Sequence, residues 1–239
     1  VAKSISTSLF KAAVVCRVNG TLVDLTYPLQ EDCELTFYTL EDAEGIEAMR
    51  HTAAHVLAQA LTRLYPQVLL TIGPVIDNGF YYDIDLDESI SEVDLNKIEK
   101  EMKKIQSENL DIVKENVSYD EAKALFKDNP YKLEIIEQYQ GEQLSVYRQG
   151  EFLDLCVGPH VPNTKFVKHV KLTKVSGAYW RGDSDNKMLQ RIYGVAFQSQ
   201  AQLDDYFEFL REAEARNHRK LGKQLKLFMF SEEAPGMPF

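Results

Sequence analysis

Asn19-Gly20 stands between two short apolar runs, AVVCRV and TLVDL. A two-residue Asn-Gly loop takes positive φ at both positions, which suits the twist of antiparallel strands, so this pair dictates a hairpin. Further joins of this sort follow. Asp77-Asn78-Gly79 separates two strand-like runs, and LSVYRQG and EFLDLC read as the arms of another hairpin. Beyond the second turn, Phe80, Tyr82, Ile84 and Leu86 alternate with Tyr81, Asp83 and Asp85, the period of a strand with one buried face. CELTFYTL and the runs at 166–180 and 189–197 add strands. Between them lie helical patterns: 46–66, a segment opened by the capping box Ser91-Glu92-Val93-Asp94 with Leu95, Ile98, Met102 and Ile105 on one stripe, a shorter one after Ser118, and a last one from about Ala201 to Leu221 with Leu203, Phe207 and Leu210 toward a core. Strands joined by tight turns and interspersed with helices predict an α+β fold in which an antiparallel sheet carries helices.

The chain has 239 residues, of which 44% are apolar and 27% charged, enough for one large domain or two smaller ones. No apolar run is long enough to span a bilayer and no export signal opens the sequence. Cys16, Cys33 and Cys156 are too few and too scattered for a disulfide framework, so reduced thiols and a cytoplasmic location are expected. The sequence begins with Val1, which suggests a fragment. A net charge of −10 argues against broad, nonspecific nucleic-acid binding. The segment 163–191 is the exception: Lys165, Lys168, Lys171, Lys174, Arg181, Lys187 and Arg191 face only Asp183 and Asp185. Such a stretch can grip one specific polyanion, or it can be a lysine-rich edge strand.

His51 and His55 lie one helical turn apart, about 40° apart on a wheel of roughly 100° per residue. Ile46, Met49, Ala53, Leu57, Ala60 and Leu64 form the main apolar stripe on the opposite side, and the histidines' own neighbours are the small Ala54, Ala58 and Thr62. The pattern predicts imidazoles on a face with room for something to approach. A second group sits in FLDLCVGPHVPN: Cys156 and His160 flank the Gly158-Pro159 turn, and Asp154 shares a strand face with Cys156. Two histidines from a helix and a Cys/His pair from a loop can converge. They would serve as a zinc site, as neutral proton shuttles, or as a cysteine nucleophile with His51 as base. Spacing alone leaves all three open.

The stretches MRHTAAHVLAQAL, IGPVIDNGFYYD, FLDLCVGPHVPNT, GAYWRGDSDNKMLQRIYG and NHRKLGKQLKLFMFSEEAPGMPF, in that order and over nearly the whole chain, resemble bacterial-type threonyl-tRNA synthetase. Alanyl-tRNA editing proteins share a related histidine/cysteine pattern. The resemblance implies an N-terminally truncated TGS-like β-grasp module at 1–42, an α+β tRNA-editing domain at 43–200, a linker helix at 201–222 and the start of a class II aminoacylation domain at 223–239. The family's ATP, Mg²⁺ and synthetic-site zinc would belong to parts not present here, as would most contacts of its homodimer. This region alone would not join threonine to tRNA(Thr). It would hydrolyse misacylated seryl-tRNA(Thr), with no cofactor required.

By the same resemblance His51, His55, Cys156 and His160 line the editing site. His51 or His160 would activate water or move a proton, while His55 orients and polarises. Cys156 would shape the pocket rather than attack. Lys132 would hold the carbonyl oxygen or a phosphate, Asp154 would receive the serine ammonium, and Tyr82 would bound the pocket or stack on the terminal adenosine. Lys165, Lys168, Arg181, Lys187 and Arg191 would face the acceptor arm of tRNA(Thr). No metal is expected in this region; if one binds, the four histidine/cysteine groups are its ligands. Two rival readings stay open: a zinc-dependent hydrolase not acting on tRNA, and a noncatalytic RNA- or ribosome-binding module.

Overall fold

The computed structural model describes residues 1–218 together with 221, 222 and 225. The expected opening of a further domain at 223–239 lies, Leu225 apart, outside the described residues. The chain divides into two compact units, Val1–Gln198 and Ser199–Phe239.

The first unit begins with two short helices, α1 (Ala2–Ile5) and α2 (Thr7–Ala12), for which the sequence reading offered no element. The hairpin β1 (Val15–Val18) and β2 (Thr21–Asp24) follows, with β3 (Leu35–Tyr38) on the other side of β1. Val18 pairs with Thr21 across the turn, and Asn19 (φ 47°) and Gly20 (φ 85°) both take the positive φ that makes an Asn-Gly pair the natural choice. Next comes α3 (Ala43–Leu64), the histidine helix. It differs from the open-faced helix expected. Apart from His51 and Arg50, every side chain from Ala48 to Leu61 is buried, Ala54, Ala58 and His55 included. The small residues admit close packing rather than an open approach, because this helix lies in the middle of the core and is covered on nearly all sides.

The strands β4 (Leu69–Leu70), β5 (Val75–Ile76) and β6 (Gly79–Asp85) lead into α4 (Glu92–Glu108), β7 (Ile112–Val117), α5 (Tyr119–Leu125), α6 (Pro130–Glu137), β8 (Leu144–Gln149), β9 (Phe152–Leu155), β10 (His169–Tyr179) and β11 (Met188–Phe197). Two antiparallel sheets result. One has the order β10-β11-β6-β4, with β5 also paired to β6; the other is β7-β8-β9. Phe80, Tyr82, Ile84 and Leu86 are buried as their alternation predicts, and so are Leu95, Ile98, Met102 and Ile105 of α4, which opens with the expected capping box between Ser91 and Asp94. Asp83 breaks the pattern. It is buried, because Arg191 on the neighbouring strand clamps both its oxygens at 2.7 Å. A small group of Val117, Ala122, Ile136 and Val146 ties α5 and α6 to the β7-β8-β9 sheet.

The second unit contains α7 (Gln200–Ala215), capped by Ser199, whose side chain accepts from the Gln202 amide. Leu203 is buried as expected, but Leu210 is 40% exposed. Charged residues crowd its half of the helix, from Glu208 to Arg216, and make that half a solvated rod. No helix among the described residues is long and apolar enough to cross a membrane.

Candidate functional site

The hairpin β8-β9 carries its second strand to the flank of α3, and the extended backbone continues one residue beyond it. The Cys156 amide donates to the Ser145 carbonyl and the Ser145 hydroxyl to the Cys156 carbonyl, so Asp154 and Cys156 keep the same strand face, as the two-residue spacing predicts. The chain then reverses at Gly158, which sits in the left-handed region at φ 78°, and the following peptide bond to Pro159 is cis. That turn brings His160 back onto Cys156. The Cys156 Sγ lies 3.2 Å from His51 Nε2 and 3.3 Å from His160 Nε2, and it accepts from the Gly158 amide at 3.3 Å. The His160 ring stacks on the His51 ring and lies tilted against the His55 ring, with centroids 4.2 Å apart in each pair. The four expected side chains do converge.

The hydrogen-bond network assigns the His160 tautomer. The Thr52 hydroxyl donates its one proton to the Ala48 carbonyl at 2.8 Å, so toward His160 Nδ1 (3.1 Å) and the Val161 amide (3.2 Å) it is an acceptor. His160 therefore carries its proton on Nδ1 and presents a bare Nε2 to the thiol. His51 Nε2 faces the same thiol at 3.2 Å.

Burial sets the charges. It depresses His51 below its usual 6.5, the Pro159 hydrogen bond only partly opposing it, and takes His160 well below and His55 to about 3. Burial also pushes the Cys156 thiol up to about 12. At neutral pH the site holds three neutral imidazoles and a protonated thiol, which argues against a cysteine nucleophile. The same four ligand atoms all lie within 4.8 Å of one another, a spacing that a tetrahedral ion can use. Loading one would require the strongly held thiol proton to leave.

Beside this cluster runs a buried ionic chain. Lys132 and Asp154, 3% and 2% exposed, form an ion pair at 2.5 Å. The Tyr82 hydroxyl donates to the other Asp154 oxygen at 2.5 Å, the Leu155 amide donates to Asp154 Oδ1 at 2.8 Å, and His55 Nε2 stands 3.9 Å from Oδ2. Burial alone would raise the Asp154 carboxyl, but the Lys132 ammonium, His55 and the Tyr82 hydroxyl together outweigh it and hold Asp154 below the usual range. The possibility that Lys132 is a solvated surface lysine is excluded by its burial. Tyr82 bounds the pocket, and its ring is buried too deeply to serve as a stacking platform. Asp154 is already engaged on both oxygens.

His51, His55, Tyr82, Lys132, Asp154 and Cys156 line one cleft of about 560 Å³; His160 lies outside its lining. The outer lining combines the apolar Ile72, Pro74, Tyr139, Leu144 and Val157, of which Val157 is 82% exposed, with the exposed Glu142 and Gln143. The basic residues expected to face tRNA divide into two sets. Arg191 is clamped by Asp83, Lys187 pairs with Asp85 at 2.8 Å, and Arg181 pairs with Glu134 at 2.6 Å. Lys165 and Lys168 carry no ion pair among the described residues. β10 is an edge strand, so its Lys171 and Lys174 also fit the edge-protecting reading. Sequence reasoning missed Thr52, Asp24 and Tyr147, all of which touch the His160 segment. Neither spacing nor composition marks them.

Comparison with known proteins gives two domain matches. Residues 1–39 match the TGS domain and residues 144–193 match the threonyl and alanyl tRNA synthetase second additional domain. Among curated relatives, threonine-tRNA ligase 2 of Bacillus subtilis is 59% identical over 241 aligned positions, covering 100% of this chain and 38% of the relative. The threonine-tRNA ligase of Thermotoga maritima is 57% identical over 96% of this chain and 36% of its own length, and that of Clostridioides difficile 54% over 100% and 38%. The chain thus spans little more than a third of the length of the relatives it matches. With both domains in this order and such identity from end to end, the chain belongs to the bacterial threonyl-tRNA synthetase family and comprises its TGS and editing domains.

Proposed function

We propose that this region hydrolyses seryl-tRNA(Thr) and spares threonyl-tRNA(Thr), while the whole enzyme uses ATP, Mg²⁺ and a zinc ion elsewhere to join threonine to its tRNA. The need is physical. Serine lacks one methyl of threonine, and one methylene changes binding by only about 1–3 kcal/mol, so a synthetic site cannot reject it alone. A second pocket can exclude threonine by size. The observation that carries the reading is the convergence of His51 Nε2, the Cys156 thiol and the Lys132–Asp154 pair on one cleft.

The chemistry follows from the charges. A thiol held protonated leaves water as the nucleophile; the neutral His51, which lines the cleft, accepts the water proton and returns it to the ribose oxygen as the acyl C–O bond breaks, releasing serine and the free 3′ hydroxyl of the tRNA. Lys132 spends one of its three N–H donors on Asp154 and has others to stabilise the developing oxyanion. Asp154 anchors Lys132 and Tyr82, and its negative charge attracts the seryl ammonium. Cys156 and His55 form the wall against the amino-acid side chain. The 3′ adenosine would lie on the apolar residues of the outer lining, and Lys165 and Lys168 supply phosphate contacts whose affinity falls with salt.

The test is incubation of the chain with seryl-tRNA(Thr), with and without EDTA. Serine release unaffected by EDTA is expected. EDTA-sensitive cleavage of small esters would instead identify a zinc hydrolase, and RNA binding without hydrolysis a noncatalytic module.

A further inference from the structure

The His160 segment is held from a direction the editing reading does not use. Asp24, the last residue of β2, belongs to the small N-terminal sheet, 136 positions before His160 in sequence. Its Oδ1 accepts the His160 amide at 2.8 Å, and its Oδ2 accepts the Tyr147 hydroxyl at 2.6 Å. The Tyr147 ring lies 4.5 Å from the His160 ring, centroid to centroid. One carboxylate thus fixes the backbone of His160 and, through Tyr147, the aromatic wall against its imidazole. On the other side Thr52 holds Nδ1.

The position of Asp24 is itself well determined. Val14, just before β1, and Val15, its first residue, are fully buried in the same core as Ala48 and Met49 of the histidine helix. At Gly45, in the first turn of that helix, a Cβ would fall 1.8 Å from the Thr39 carbonyl oxygen and 2.9 Å from a Val14 methyl. The N-terminal sheet and the helix bearing His51 and His55 thus share one packed core, and that packing presents Asp24 to the site.

We infer that Asp24 is a positioning residue of the hydrolytic centre: the N-terminal module completes that centre by holding His160 in register with Cys156 and His51. What the centre does rests on the editing reading above; that Asp24 orients His160 does not. His160 touches the Cys156 thiol and stacks on the ring of His51, so displacing it displaces the base, and misplacing a reacting group by about 1 Å costs on the order of a hundredfold in rate. Asn at position 24 keeps an acceptor for the His160 amide, and its NH₂ can donate to the Tyr147 oxygen, so it preserves both contacts without the charge. Ala removes both.

The experiment compares the parent chain with Asp24→Ala, Asp24→Asn and Tyr147→Phe. Single-turnover release of serine from seryl-tRNA(Thr) is measured over a range of protein concentrations, and the ring nitrogens of His160 are followed by ¹⁵N NMR without substrate. We expect Asp24→Ala to lower the saturating rate roughly tenfold to a hundredfold with little change in the half-saturating concentration, and to shift the His160 ring resonances. Asp24→Asn should recover most of the rate and the parent spectrum, and Tyr147→Phe should fall between. A saturating rate for Asp24→Ala within twofold of the parent, or an unchanged His160 spectrum, overturns the inference. If Asp24→Ala does not fold, Asp24→Asn and Tyr147→Phe decide it through the same spectrum. If the parent releases no serine, the editing reading fails, and the spectrum alone still decides whether Asp24 orients His160.

Discussion

The Lys132–Asp154 pair offers the sharpest energetic test of the site. Both side chains are almost fully removed from water, and the ion pair is reinforced by the Tyr82 hydroxyl and the Leu155 amide. Asp154→Asn keeps the shape and most hydrogen bonds but leaves the Lys132 ammonium buried without its counter-charge. The ammonium then stays charged at high cost or sheds its proton. Breaking such a pair from one side costs about 3–5 kcal/mol, and Lys132→Met, which orphans the carboxylate, should cost a similar amount. With a urea m-value of about 2 kcal/mol per molar, each change lowers the unfolding midpoint by about 1.5–2.5 M. The double variant removes both charges and should cost at least about 2 kcal/mol less than the sum of the two, a coupling within the range for contacting residues. Urea unfolding of the four proteins, followed by circular dichroism, measures the cycle. Single losses under about 1 kcal/mol, or a double variant equal to the sum within about 0.5 kcal/mol, would refute the claim that the two charges depend on each other.

Further expectations follow from the same geometry. His51, His55 and His160 are held below 6.5, so on acidification the unfolded chain takes up protons that the folded one refuses. Stability is therefore full above the unfolded value and lost as pH falls below about 6.5, by up to about 1.4 kcal/mol per pH unit for each imidazole, the His55 share persisting down to about 3; thermal melts between pH 7 and 5 check this, and a flat profile contradicts it. Cys156→Ala should keep serine release within about tenfold of the parent, a rise of up to about 1.4 kcal/mol in the barrier, yet release threonine too, whereas near-total loss of activity would restore the nucleophile reading. Arg191→Ala should destabilise the fold by about 2–4 kcal/mol by leaving Asp83 buried and unpaired. Lys165→Ala and Lys168→Ala should leave melting unchanged and each reduce the salt dependence of tRNA binding by about one counterion.

What the sequence made legible was local. Asn19-Gly20, the Ser91–Asp94 capping box and the alternation from Phe80 to Leu86 each state their structure within a few residues, because turn sterics, orphan amides and strand pleating act over that range. The site was half legible: His51, His55, Cys156 and His160 stand out as scarce residue types at suggestive spacings. Their surroundings were not. The wheel put the histidines on an open face, but a helix periodicity cannot reveal that a second sheet and a loop cover that face. Asp24, Thr52 and Tyr147 are common residues whose role exists only once strands distant in sequence meet. Arg191 looked like a free cation because its partner, Asp83, lies 108 positions away.

The central claim is that the cleft admits a seryl ester and turns away its methylated counterpart while a neutral imidazole activates water. Single-turnover release of serine and of threonine from the same tRNA(Thr), measured side by side with this chain at pH 7, tests it most directly. Serine should leave faster by roughly tenfold to two-hundredfold or more. Equal rates for the two amino acids, or faster loss of threonine, would contradict the account.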